Sequence, residues 1–329
     1  MNYNVAVVGA TGMVGRKFIE VLEERNFPID KIYFFASGRS AGTVLKFKGQ
    51  DVVVEELKEE NIKTKKIHFA LFSAGGDISK AFAPVFVKYG ATVIDNSSAW
   101  RMDPEVPLVV PEVNPEDIKW NKGIIANPNC STIQAVVALK PLYEKYGIKR
   151  IIYSTYQAVS GAGLKGFEDL EAGYKGEAPK KFNYPIAGNL LPHIDVFMEN
   201  GYTKEEMKMI EETKKILHDD KLKITATTVR VPVFYGHSES INVELNKEFE
   251  LKDIFELFSH APGVILKDDV EKLIYPMPID AAGHDEVFVG RIRRDFSADN
   301  GLNLWVVADN IRKGAASNAV QIAECMIEK

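Results

Sequence analysis

Apolar residues in this chain fall into two rhythms. Short unbroken runs read as strands buried on both faces, and longer stretches repeating every three or four residues read as one face of a helix. Residues 5–8 make the first run, Phe18, Ile19 and Leu22 the first helical stripe, and residues 31–36 the second run. Strand, helix and strand in that order make a βαβ unit, whose two strands lie parallel. The rhythm continues with a hairpin over 43–47 and 51–55, a charged connection over 55–66, a strand over 67–72, a helix over 78–89 and a strand over 92–95. A proline-rich ordered loop, 103–114, leads to the apolar run 123–126 and a helix from Ser131.

Beyond that helix the pattern turns β-rich. Strands are predicted over 150–157, 225–234, 238–245, 286–293 and 303–308, with an irregular stretch over 165–191. The helix over 203–217 turns Met207, Ile210 and Leu217 inward, and a small-residue helix over 314–327 closes the chain. The fold class is therefore α/β, a Rossmann-like parallel-sheet dinucleotide-binding domain followed by an α+β domain with a mostly antiparallel or mixed sheet. The first spans residues 1–129, completed by the C-terminal helix at about 310–329, and the second spans 130–309.

The length of 329 residues suits two domains, and 46% apolar with 26% charged residues is ordinary for a globular protein. A net charge of −5 argues against a nucleic-acid surface. The chain opens on a strand-like run, and no apolar run approaches membrane-spanning length, so no membrane association and a cytoplasmic location are expected. Cys130 and Cys325 lie far apart, which fits a reducing compartment, and Cys325 reads as an inert core thiol. The histidines are scattered without ligand spacing, so no metal is expected.

Two turns carry the chemistry. Gly9, Thr11, Gly12, Met13 and Val14, with Gly15, form a glycine turn between the first strand and helix, the place where backbone N–H groups receive a pyrophosphate. The second strand ends in Ser37, Gly38, Arg39 and Ser40 with no acidic residue for a ribose 2′-hydroxyl, which favours NADP. A further small-residue turn, Ser73 to Gly75, follows the strand over 67–72 and could line the nicotinamide side, and Arg101 after the next strand is a candidate anion clamp. The second chemical turn is Asn127-Pro128-Asn129-Cys130-Ser131-Thr132. It places Cys130 at the start of a helix, with Asn129 or Ser131 as cap, where unpaired N–H groups favour thiolate and could hold an oxyanion. The turn alone leaves a nucleophile and a buried structural cysteine both open. Arg230 stands among β-branched residues, where it requires an anion. Glu205 and Lys208, three apart on one helix, read as a surface ion pair.

The glycine turn, the cysteine turn, the stretch from Ser154 to Gly163, and Val229-Arg230-Val231-Pro232 with Gly236-His237-Ser238 together closely resemble the aspartate-semialdehyde dehydrogenase family, in order along the whole chain. The resemblance implies NADPH-dependent reductive dephosphorylation of 4-phospho-L-aspartate to L-aspartate 4-semialdehyde through a Cys130 thioester. It gives His237 acid/base work and Gln157 the orientation of the intermediate. Arg230 would take the α-carboxylate, Glu205 the α-ammonium, and Lys208 with Arg101 the phosphate. Thr11 to Val14, Ser37, Arg39, Ser40, Ser160, Gly161 and Asn310 resemble NADP contacts. A homodimer is implied, with a homotetramer as the alternative, in the pathway to lysine (through diaminopimelate), methionine, threonine and isoleucine. The chain is shorter between Gly163 and Thr203 than bacterial members with an added helical piece there, a piece that serves subunit contacts. The rival readings are an N-acetyl-glutamyl-phosphate reductase-like enzyme and a non-catalytic NADP-binding protein.

Overall fold

The computed structural model describes residues 2–327, and the chain divides into two compact units. The first runs to Pro128 and resumes at Ala315, and the second is Asn129–Gly314. The breaks therefore put Asn129 and residues 310–314 with the second unit, whereas the sequence reading put them with the first. Asn129 goes there because its hydrogen bonds run to the helix that carries Glu205 and Glu212.

In the first unit the elements are β1 (Tyr3–Val8), α1 (Met13–Glu24), β2 (Ile29–Ala36), β3 (Val44–Phe47), β4 (Gln50–Glu56), α2 (Glu59–Ile62), β5 (Phe69–Phe72), α3 (Gly76–Lys88), β6 (Thr92–Asp95) and β7 (Ile124–Ala126). They build one sheet of order β3-β4-β2-β1-β5-β6-β7, parallel except for the β3-β4 hairpin. Successive residues of β1 serve opposite faces: Val5 and Val7 pack with Phe18, Ile19 and Leu22 of α1, while Ala6 and Val8 pack with Phe35, Phe72 and Phe86. Burial on both faces explains why these strands read as unbroken apolar runs. The charged connection over 55–66 contains α2, because Ile62 is buried in that second cluster.

The second unit contains α4 (Cys130–Tyr146), β8 (Ile148–Gln157), α5 (Leu164–Tyr174), α6 (Lys204–Leu217), β9 (Lys223–Arg230), β10 (His237–Leu245), α7 (Leu251–Ser259), β11 (Val264–Leu266), α8 (Pro278–Ala281), β12 (Val287–Asp295) and β13 (Gly301–Ala308). Its sheet has the order β11-β12-β13-β10-β8-β9 and is mixed: β8-β9 and β11-β12 are parallel, the other pairs antiparallel. Helix α4 is buried nearly all round and ends at Gly147, whose φ of +68° suits a residue without a Cβ. Helix α6 opens with a capping box, Thr203 and Glu206 each bonding the other's backbone N–H. Met209 and Ile210 are buried there, whereas Met207 is only half-buried.

Helix α5 occupies the stretch expected to be irregular. Its Gly166 and Gly173 are poor helix formers but are required by close packing: a Cβ would lie 2.6 Å from the Val159 carbonyl oxygen in one case and 2.8 Å from the Ala187 Cβ in the other. The chain then returns to the first unit as α9 (Ser317–Met326), which packs Ala319, Val320, Ile322 and Ala323 into the core beside α1. Cys325 corrects the core-thiol expectation. It is exposed, because the buried stripe of α9 passes through Ile322 and Ala323 and leaves position 325 facing outward.

Candidate functional site

In the first unit every residue expected at a nucleotide site follows the C-terminal end of a parallel strand. Gly9 follows β1, Ser37 follows β2, Ser73 follows β5, and the loop to Arg101 follows β6, so all lie along one edge of the sheet, where open α/β sheets bind ligands. Gly9 has φ +82°, and a Cβ there would stand 2.3 Å from the Ser73 carbonyl oxygen; one on Gly15 would stand 2.1 Å from the carbonyl oxygen of Gly9. The turn is thus a cradle that side chains would fill. Gly12 caps α1 without a side-chain hydrogen bond, and Thr11, Met13 and Val14 remain half-exposed, leaving the first-turn N–H groups to a phosphate. Ser37, Arg39 and Ser40 sit on a turn closed by Ser40 N–H to Ser37 C=O (2.9 Å), with Arg39 exposed. Gly75, at φ +86°, opens α3. These residues fit a dinucleotide carrying a 2′-phosphate. Arg101 is buried, its Nε donating to the Asn127 carbonyl (3.0 Å) and its Nη2 to that of Asn96 (2.9 Å).

In the second unit, topology does the gathering. Strands β8 and β9 run parallel in register, Gln157 beside Arg230, so both side chains stand at the same end of the sheet. Strand β10 is antiparallel to β8 and therefore begins where β8 ends, which brings in His237; its partner Ala308 closes β13 and is followed by Asn310. Asn310 bonds Ser160 through Oγ (3.1 Å) and takes the Gly236 N–H (3.1 Å), tying two predicted cofactor residues to the position before His237. Gly161 is pressed close: a Cβ there would lie 2.9 Å from Arg230 Nη1 and 3.2 Å from His237 Nε2.

Cys130 is the first residue of α4, and Asn129 rather than Ser131 is its cap, accepting the Ser131 and Thr132 N–H groups (3.0 and 3.3 Å). The rest of Asn129 is held from α6. Its Nδ2 donates to Glu205 Oε1 (2.9 Å) and its backbone N–H to Glu212 Oε2 (2.7 Å). Gln157 Nε2 reaches the same Glu205 oxygen (3.1 Å), and Thr155 Oγ1 donates to the side-chain Oε1 of Gln157 (3.0 Å). Lys208 bridges Glu205 (3.0 Å) and Asp195 (2.7 Å). Glu205 is 5% exposed, so its pair with Lys208 is a buried contact and not the surface pair that spacing suggested.

Burial pushes the Glu205 carboxyl up, but Lys208 and the amides of Asn129 and Gln157 outweigh it and hold the group at about 2. Burial likewise opposes the Lys208 ammonium, and Glu205 and Asp195 overcome it, so its affinity for the proton rises. The Arg230 guanidinium is drawn down by burial against the opposing pull of Glu205 and Cys130. His237, wholly buried beside Arg230, is lowered to about 3.

Three contributors escaped the sequence reading. Glu212 lies seven residues after Glu205, two turns along the same buried helix face, and that spacing was its available signal. Ala158 acts through its backbone, donating N–H to His237 Nδ1 (3.0 Å) and accepting Arg230 Nη1 (2.6 Å); no sequence pattern marks it. Gly314 packs on the thiol residue, where a Cβ would come within 2.9 Å of the Cys130 Cβ.

The model of the family described as "Semialdehyde dehydrogenase, NAD binding domain" matches residues 4–121, and "Semialdehyde dehydrogenase, dimerisation domain" matches residues 139–313. The aspartate-semialdehyde dehydrogenase of Aquifex aeolicus is 62% identical, the match covering 100% of this chain and 99% of that protein. Among solved structures, aspartate semialdehyde dehydrogenase II of Vibrio cholerae complexed with ASA has a TM-score of 0.95 at 48% identity, covering 99% of this chain and 98% of that one. The Candida albicans aspartate semialdehyde dehydrogenase with NADP has a TM-score of 0.78 at 28% identity, covering 99% and 98%.

Proposed function

The chain belongs to the semialdehyde dehydrogenase family, its close relatives being aspartate-semialdehyde dehydrogenases, and from that membership we propose how its residues divide the reaction. It is an NADP-dependent oxidoreductase of the aspartate pathway that converts 4-phospho-L-aspartate to L-aspartate 4-semialdehyde. Its second unit carries the family's dimerisation domain, and it forms a homodimer. Release of inorganic phosphate, any assembly into a tetramer and a cytoplasmic location belong to the proposal. Among the described residues no helix is long and apolar enough to cross a membrane.

Cys130 is the nucleophile. The observation that carries this is its place as first residue of a capped, buried helix, where the positive end of the helix dipole and the nearby Arg230 face the charge of a thiolate. Arg230, already braced by the Ala158 carbonyl, offers its remaining donors to the substrate α-carboxylate. Glu205, ionised throughout the physiological range, suits the α-ammonium, and Gln157 and Asn129 are fixed by it on either side. Lys208 and Arg101 take the phosphate, Lys208 leaving one of its two carboxylates to do so. NADPH, when bound at the glycine turn with Ser37, Arg39, Ser40, Ser73, Gly75, Ser160, Gly161 and Asn310, supplies the hydride. His237 serves the reacting oxygen, a place the resemblance describes as proton transfer.

The buried, ionised Glu205 also discriminates between readings, since an acetylated amine brings no charge to meet it. The test is NADP reduction by aspartate semialdehyde, titrated with phosphate, with N-acetyl-glutamate semialdehyde as the competing substrate. Saturable phosphate dependence with the first is expected. Turnover of the second alone, or of neither, overturns the assignment.

A further inference from the structure

Lys208 stands between two carboxylates that are held very differently. Its Nζ donates to Glu205 Oε2 (3.0 Å) and to Asp195 Oδ2 (2.7 Å). Glu205 belongs to α6 itself, its side chain is 7% exposed, and its other oxygen carries the Asn129 and Gln157 amides. Asp195 comes from the loop before α6, and its side chain is 30% exposed. That loop folds back on the start of the helix: Lys204 N–H donates to the Val196 carbonyl (2.8 Å), Phe197 bridges Thr203, and Met198 N–H donates to the Tyr202 carbonyl (2.8 Å). Asp195 is thereby set beside the first turn of α6, and Lys208, four residues after Lys204, lies on the same face one turn on. The backbone of Asp195 is left-handed, φ +68°, a conformation that Asp and Asn tolerate better than most residues. Its second oxygen, Oδ1, accepts the Val196 N–H (2.9 Å). Burial raises the Asp195 carboxyl, but Lys208, the Val196 N–H and Lys204 outweigh it and hold the group below its ordinary range, as a full negative charge.

Resting on the reading that Lys208 takes the phosphate, we infer that Asp195 is a positioning residue that acts through Lys208: an internal anion that holds the ammonium until phosphate displaces it and reclaims it as phosphate leaves. Two carboxylates already share one ammonium, and a phosphate dianion drawn to the same Nζ must take the place of one of them. Glu205 cannot be the one. Without its cation it would be a carboxylate in a buried setting, pulled away from the amides that Asn129 and Gln157 give it. Asp195 can turn its charge to water, and Lys204 still acts on it there. The contact between Lys208 and Glu205 therefore survives the exchange, and the groups around Glu205 keep their partners. Asp195 sets the affinity for phosphate downward, because every phosphate that binds must first break a 2.7 Å ion pair. The same pair, re-forming, speeds the departure of phosphate once the carbon–oxygen bond has broken. The subsite for the α-ammonium, on Glu205, is left as it was.

Asp195→Asn in the full-length enzyme tests this. Asparagine suits the left-handed φ and its side-chain carbonyl can keep the Val196 N–H, while its amide presents a donor where Lys208 needs an acceptor. In NADP reduction by aspartate semialdehyde, the KM for phosphate should fall about three- to tenfold, with the KM for the semialdehyde within about twofold of the wild type. Asp195→Gly, which adopts φ +68° without strain, should move the phosphate KM the same way, and it decides the matter if the asparagine variant does not fold by circular dichroism. Damage to the fold would not tighten phosphate, so a fall separates this role from a merely structural one. A phosphate KM that rises in the folded variant would mean that Asp195 assembles the site instead of competing for it, and overturns the inference. A phosphate KM unchanged within about 1.5-fold overturns it as well. No phosphate dependence in the wild-type protein would remove the phosphate role of Lys208 and this inference together. Phosphate-dependent wild-type turnover, with the KM unmoved or raised in the variant, removes only the role of Asp195.

Discussion

The nucleotide edge of the first unit and the thiol end of the second are built on opposite plans. The first is made of backbone and works by what is missing: Gly9 and Gly15 bring main chain against main chain at distances that any Cβ would violate. The second is made of long polar side chains from the cap of α4 and from α6, β8, β9 and β10, which bond one another or, for Arg230 and His237, the Ala158 backbone. A cradle of the first kind fails by steric overlap, and a network of the second kind fails by leaving charge uncompensated. The two plans therefore respond differently to substitution.

The largest expected effect is on the network. Arg230→Lys keeps the charge and loses the fork that is braced on Ala158, and kcat/KM should fall about 100-fold with the thermal midpoint nearly unchanged. If the loss of activity only followed a loss of folded protein, the contrast between the two plans would fail. The cradle should show the reverse. Gly9→Ala, with φ +82° and a carbonyl oxygen in the way, should cost about 2 kcal/mol of stability in denaturant titrations and weaken NADP binding. Unchanged stability would mean that the turn can relax and is not a sterically defined cradle. Smaller still, Arg39→Ala should weaken NADP about 10- to 30-fold and NAD less than about threefold, measured as dissociation constants, since an exposed arginine acts on the 2′-phosphate alone. Equal losses would remove the 2′-phosphate assignment.

The smallest effect is a dependence on pH. His237 is lowered to about 3 in the folded chain from 6.5, so the unfolded chain binds a proton that the fold refuses, and stability is lost as pH falls from 6.5 toward 3. Glu239 works the other way. Its folded value is raised well above 4.5, so stability is full below 4.5 and declines as pH climbs toward the folded value. Glu239→Gln should then gain on the wild type by a few degrees in thermal midpoint between about pH 5 and about pH 8. A difference that stays flat with pH would place the charge of Glu239 elsewhere.

How much of this could be read in advance follows the same division. The glycine turn and the cysteine turn are local, so spacing after a strand and before a helix marked both, and Phe18, Ile19 and Leu22 pack where their period put them. The network was illegible from spacing because its members meet through sheet register: Gln157 and Arg230 are neighbours only because β8 and β9 are parallel. Resemblance named Glu205, yet neither spacing nor resemblance pointed to Glu212 or to the Ala158 backbone. Helix α5 was hidden by glycines that serve packing, and helix α7, whose Ile254 and Phe258 are buried four apart, carried a period that went unread.

The central claim is that Cys130 bonds covalently to the substrate. Acid quenching during turnover, followed by peptide mass spectrometry, tests it most directly. An aspartyl thioester on the peptide containing Cys130, absent in Cys130→Ala together with all turnover while that variant still binds NADP, is the expected result. Continued turnover in Cys130→Ala, or an unmodified Cys130 while product accumulates under conditions that preserve thioesters, would contradict it.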